Sequence, residues 1–172
     1  MNKQIKIKNA VVSFANLAQP SSYEGKPNKY DLTMLIDKDS ETAKLIVLEV
    51  QSMLLENENK QLWYEENQLA LKNGDNSDYQ GNHGNWVLKA NSGPQVVCLN
   101  TNKAKMSLDE IQASIVKGAT VNALVTLWYQ NNQYGQRVNC ILNAVQFAKE
   151  SQTATKDFES FFSELDDSQQ PF

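Results

Sequence analysis

Hydrophobic and polar positions change period several times along the chain, and each change marks an element. Ile5 and Ile7 alternate with Lys6 and Lys8 and lead into the run AVVSFANL, so residues 5–17 read as one long strand with a bulge between Asn9 and Val12. After the turn PSSYEGKPNK, the stretch KYDLTMLID alternates again. It sets Tyr30, Leu32, Met34 and Ile36 on a core face, opposite Asp31, Thr33, Leu35 and Asp37.

The period then becomes helical. Apolar residues fall at Ala43, Ile46, Val47, Val50, Met53 and Leu54 behind an N-cap at Asp39 or Ser40, which predicts one amphipathic helix. KQLWYEENQLAL either continues it or forms a second short helix, with Trp63 and Tyr64 covering it. Residues 72–85, KNGDNSDYQGNHGN, are rich in Gly and Asn and predict a long exposed loop. WVLKANS and PQVVCLN read as strands broken at Ser92-Gly93-Pro94, and SLDEIQASI as a short helical connector.

The strongest β signal follows. GATVNALVTLWYQ places Val121, Ala123, Val125, Leu127 and Tyr129 inward; NNQYG turns the chain; and Val138, Cys140 and Leu142 form the inward set of the return strand. Trp128, Arg137 and Asn139 therefore point outward together. Five or more strands, one inserted amphipathic helix and long loops predict a mainly β fold built on a small closed or partly closed barrel.

Composition refines this picture in two places. The chain has 172 residues and no apolar run near the ~18 that a membrane span needs, so no membrane partner is expected. Its opening alternation reads as a strand and not as a signal peptide. The net charge of -4 is unevenly spread: residues 1–149 hold 15 basic and 14 acidic side chains, whereas 150–172 hold one basic and six acidic. The expected division is a near-neutral folded domain, 1–149, and a polar linker with a disordered acidic tail, 150–172.

Enzymatic motifs are absent. The chain contains no GxxxxGK[ST], GxSxG or HExxH; its single histidine, His83, offers no metal set; and Cys98 and Cys140, each flanked by apolar residues, read as buried free thiols. No cofactor or metal is expected. Asp75 and Asp78 read as solvated turn residues.

The pattern that carries chemistry is cationic and aromatic. Single strands of nucleic acid are held by cations that follow phosphates and by aromatic faces on which bases stack. The candidates are Lys6, Lys8, Lys29, Lys89, Lys103, Lys105, Lys117 and Arg137, with Trp128 and Tyr134 as stacking rings. For Lys6 and Lys8 the competing reading is protection of an edge strand. For Tyr30, Tyr129 and Trp86 it is membership of the core.

The opening strand into SFANL, KYDLTMLIDK before a helix, the LKNGD loop followed by Tyr79, ANSGPQVV, and the hairpin KGATVNALVTLWYQNNQYGQRVNCILNAVQ resemble a family of phage single-stranded DNA-binding proteins, formerly a domain of unknown function. The resemblance spans residues 5–149 and implies an OB-fold. It also implies an activity: sequence-nonspecific binding of single-stranded DNA during phage replication, recombination or repair in the host bacterial cytoplasm. Separately, DDSQQPF resembles the acidic tip of bacterial single-stranded DNA-binding proteins. That likeness implies that Asp166, Asp167, Pro171 and Phe172 bind replication or recombination partners, the terminal ring entering an apolar pocket and the aspartates meeting a basic rim. An interaction or inhibitor module that works through this tail without touching DNA is the alternative, a nuclease using Asp75 and Asp78 is the least favoured reading, and homo-oligomerisation is left open.

Overall fold

The alternation of the first segment becomes β1 (Lys3–Asn16) in the computed structural model, which describes residues 2–151. The tail positions Asp166, Asp167, Pro171 and Phe172 lie outside those residues. β1 is interrupted twice. Its register against the later strand Thr120–Asn132 shifts between Ile7 and Ala10, where Asn9 takes a left-handed φ of 56°, and its register against Tyr30–Asp37 shifts between Val12 and Phe14. Asparagine tolerates that φ better than most residues, which fits it to the bulge.

The expected turn contains a miniature hairpin, β2 (Ser22–Tyr23) and β3 (Lys26–Pro27), closed by Glu24 and Gly25 at φ 52° and 77°. Two positive φ angles in a two-residue loop match the twist of paired strands. β4 (Tyr30–Asp37) follows with Leu32, Met34 and Ile36 buried. Helix α1 (Glu41–Glu56) is capped by Ser40, whose side chain accepts from the Ala43 N–H at 3.1 Å, and it buries Ala43, Ile46, Val50, Met53 and Leu54.

Two 3-10 turns, Lys60–Tyr64 and Glu66–Gln68, take the place of a continued helix. Trp63 packs against the core and meets Trp86 with ring centroids 6.0 Å apart. The long loop expected at 72–85 is more ordered than its composition implies. It opens with a strand, β5 (Leu71–Asn73), and makes two further 3-10 turns before β6 (Asn85–Ser92). β7 (Val97–Leu99), α2 (Leu108–Ser114) with a complete Ser107/Glu110 capping box, and the hairpin β8 (Thr120–Asn132) and β9 (Gly135–Lys149) complete the chain.

The hydrogen-bonded strand order is β5-β6-β4-β1-β8-β9-β7, and one parallel pair, Asn91 with Ile141, joins β6 to β9 and closes the sheet. The five long strands thus form a closed barrel in the order β1-β4-β6-β9-β8, which is the strand order of an OB-fold. Its interior is filled by Ile5, Ile7, Val12, Leu32, Met34, Leu88, Val125, Leu127 and Leu142, with α1 packed on the same cluster. Cys98 and Cys140 are free and buried, and desolvation pushes their thiols up to about 11 and about 12. Among the described residues no helix is long and apolar enough to cross a membrane.

Candidate nucleic-acid interface

Because alternate residues of a strand face opposite sides, the register of β1, β4 and β6 decides what stands together on the outside of the barrel. Three rows cross this face. Asn16, Asp31, Asn91 and Ile141 form the first; Phe14, Thr33 and Lys89 the second; Val11, Leu35, Val87 and Lys72 the third. Phe14 is 59% exposed, which leaves its ring open to stacking. Asp31 is buried, and the Asn16 amide donates to both of its carboxylate oxygens at 3.2 and 3.3 Å. The carboxylate thus has its partner within the row.

The first row runs into a groove of about 820 Å³ lined by Lys29, Asn91, Ser92, Trp128, Arg137 and Asn139, among others. The β8/β9 register explains the grouping: Trp128 lies opposite Asn139 and Gln130 opposite Arg137, all on the outward face. Asn139 donates to the Gln130 side chain at 2.8 Å, which holds the amide wall of the groove in place. Tyr134 stands at the hairpin tip and is 76% exposed. The turn end of the hairpin is fixed to the segment after α1, where the Asn59 amide donates to the Tyr129 hydroxyl and to Gln136, both at 2.9 Å.

The three ion pairs of the described residues engage Lys3, Lys38 and Lys44. Lys29, Lys72, Lys89 and Arg137 are thus left without a carboxylate partner there, and all but Lys72 belong to the cationic set read from sequence. An aromatic row beside a cation-lined groove is the arrangement that holds an extended single strand, and in OB-folds this work falls to the faces of the second and third strands and the flanking loops.

Comparison with known proteins decides the family. Residues 3–170 match the profile of the Enterobacter phage Enc34 ssDNA-binding protein family. The chain belongs to that family. The single-stranded DNA-binding protein of bacteriophage Enc34, solved in complex with ssDNA, is 29% identical and superposes with a TM-score of 0.73 over 86% of each chain. Protein p50 of Acyrthosiphon pisum secondary endosymbiont phage 1 is 26% identical over 95% of this chain and 93% of its own. Gp2.5 of bacteriophage T7, at 14% identity and a TM-score of 0.63 over 86% of this chain and 92% of that one, shares the fold.

Within this Enc34-family barrel the cations expected from sequence separate into groups. Lys29 and Arg137 line the groove with Trp128, and Lys89 lies two residues from Asn91 on the same face of β6. Lys117 sits elsewhere, donating to the Tyr79 hydroxyl at 3.1 Å with its ammonium 4.9 Å from the ring centroid. Lys6 and Lys8 border a different depression, and Lys103 and Lys105 stand on the loop after β7 beside it.

Asp75, expected as a solvated turn residue, has a structural task. One carboxylate oxygen accepts from the Gly84 N–H at 2.8 Å and the other from Lys38 at 2.5 Å, and these bonds, the Gly84 one foremost, hold its pKa below the usual 3.8. Phe14, Tyr23 and Tyr79 are exposed rings that sequence reasoning passed over, and Tyr64, expected to cover the helix, is exposed as well. Phe14 sits in a run whose alternation points it inward, and only the second register shift of β1 turns it out. For Tyr79 the available signal was the neighbouring Gly81, since a Cβ there would strike the tyrosine ring.

Proposed function

We propose that this protein binds single-stranded DNA without sequence preference, the strand crossing the outer face of β1, β4 and β6 and following the groove between Lys29 and the β8/β9 hairpin. The observation that carries the reading is the row Phe14, Thr33, Lys89 beside a groove holding Trp128 and Arg137. Rings stack on any base, lysines meet any phosphate, and the amides of Asn91, Gln130 and Asn139 are too few to read a sequence.

The reading extends to biological role. Protection of displaced strands in phage or mobile-element replication, recombination or repair, in the host bacterial cytoplasm, suits a binding module of this kind. Residues 1–149 form the DNA-binding unit in this scheme, and 150–172 the acidic arm, with Asp166, Asp167, Pro171 and Phe172 as a hook for replication or recombination proteins. Support for the arm comes from its composition: six acidic side chains against one basic, and a terminal ring.

Titration of a fluorescent oligo(dT) with full-length protein tests the proposal. Four groove and face cations, Lys29, Lys72, Lys89 and Arg137, set an expected slope of log affinity against log salt of about -3 for a single strand. Absence of binding at low salt, or binding with no salt dependence, would overturn it.

A further inference from the structure

A second depression, of about 470 Å³, lies further along β9 than the DNA groove and shares no lining residue with it. Asn143, bonded to Thr126 at 2.7 Å, is the last lining residue of that groove along β9, next to Ala144 of the depression. Leu99, Leu124 and Ala144 form its apolar floor, and Lys6 and Lys8 its rim. The polar groups of its wall are used among themselves: Asn122 accepts from the Asn9 N–H at 2.9 Å and donates to Gln146 at 3.2 Å, and Gln146 donates to the Asn100 carbonyl at 3.5 Å. Just beyond Leu99, the Asn100 side chain accepts from the Asn102 and Ala104 N–H groups, an arrangement that presents Lys103 and Lys105 on a tight loop. None of these four lysines has a carboxylate partner among the described residues.

This surface is mismatched to a nucleic acid strand, since it has cations but no ring on which a base stacks, and its floor is aliphatic. What it complements is a short segment carrying both carboxylates and large apolar side chains. The chain itself supplies one. Residues 157–162, DFESFF, alternate Asp157 and Glu159 with Phe158, Phe161 and Phe162.

We infer that residues 157–162 of the same chain seat in this depression, phenylalanine rings on Leu99, Leu124 and Ala144, and carboxylates on Lys6, Lys8, Lys103 and Lys105. Chain geometry permits it. Ala144, Val145 and Gln146 line the depression and belong to the strand from which the segment emerges. Five residues of chain from Gln146 to Ser151 cover at most about 17 Å, and the six residues from Ser151 to Asp157 are able to reach back roughly 20 Å. Seating 157–162 leaves 163–172 outside the contact, so the arm divides into an anchored part and a free hook.

Carbodiimide crosslinking of full-length protein, which joins a carboxylate and an amine already in contact, tests the seat. Mixed light- and heavy-isotope protein separates links within a chain from links between chains. The expected products join Asp157 or Glu159 to Lys6, Lys8, Lys103 or Lys105 of the same chain. A Phe158→Ser/Phe161→Ser/Phe162→Ser variant keeps every charge and removes the apolar contact, and its crosslink yield is expected to fall about fivefold or more. Links directed to Lys29 or Lys89, links chiefly between chains, no links at all, or an undiminished yield in the triple variant would each overturn the inference.

Discussion

Phe14 and Lys89 stand on either side of Thr33 in one cross-strand row, a ring and a cation on the same outward face of the two strands that flank β4. A base stacked on Phe14 therefore brings its phosphate toward Lys89. Phe14→Ala removes the platform, and oligo(dT) affinity is expected to fall by about 1–3 kcal/mol, roughly 5- to 150-fold. Thermal stability is expected to stay close to that of the parent, because the ring is largely exposed. Lys89→Ala is expected to weaken binding and make the salt slope shallower by about 0.7.

Trp128 is the one tryptophan of three in the groove, whereas Trp63 and Trp86 pair with each other at 6.0 Å elsewhere. Fluorescence quenching by oligo(dT) is expected to disappear in Trp128→Phe and to persist in Trp63→Phe. Quenching that survives the first substitution would place the strand on another surface.

Asp75 links acidity to loop order. A carboxyl whose folded pKa lies below its unfolded value stabilises the fold above the unfolded pKa and ceases to do so as pH falls through the folded one. The segment Gly74–Gly84 is thus expected to hold through pH 4 and loosen below it, the Gly84 amide resonance titrating with a midpoint under 3.8. Asp75→Asn is expected to abolish that titration.

Gly74 admits no side chain, since a Cβ there would run into the backbone carbonyls of Asn82 and Asn85. Gly74→Ala is expected to cost about 1–3 kcal/mol in denaturant unfolding. Gly25→Ala, with nothing near its Cβ, meets only the strain of a positive φ and is expected to cost less.

The thiols of Cys98 and Cys140, raised to about 11 and about 12, are protonated at pH 8 as well as buried. A disulfide reagent is expected to modify neither in the native protein and both once it is unfolded. Fast modification of the native protein would contradict the burial.

These tests reach residues of unequal visibility in the sequence. The β8/β9 hairpin and the grouping of Trp128, Arg137 and Asn139 were legible because the ladder is regular from Val125 and Leu142 to the turn, and alternation there fixes which residues share a face. Helix α1 was legible from its cap and its period. Phe14 was not, because two bulges re-phase β1 and no local pattern announces the second. The order of residues 72–85 was hidden for another reason. It rests on Asp75, Asn73 and Lys38 meeting across 35 and 37 residues of chain, whereas the same composition without those partners describes a loop. Lys6 and Lys8 are separated from Arg137 by register, since Lys6 lies opposite Leu124 and Leu124 opposite Ala144, well along β9 from Arg137, and the periodicity of single strands does not encode that offset.

The pair Asn91 and Ile141 that closes the barrel also lines the groove. Every other neighbouring pair of long strands is joined by a ladder of several residues, so this is the shortest direct seam of the barrel, and Ala70 splices it by accepting from the Lys89 N–H at 3.0 Å and donating its own N–H to the Val138 carbonyl at 2.9 Å. A DNA strand spanning Lys29, Asn91 and Arg137 would bridge that seam from outside. Ligand and protein would then share one structural problem, each completing the other's weakest edge.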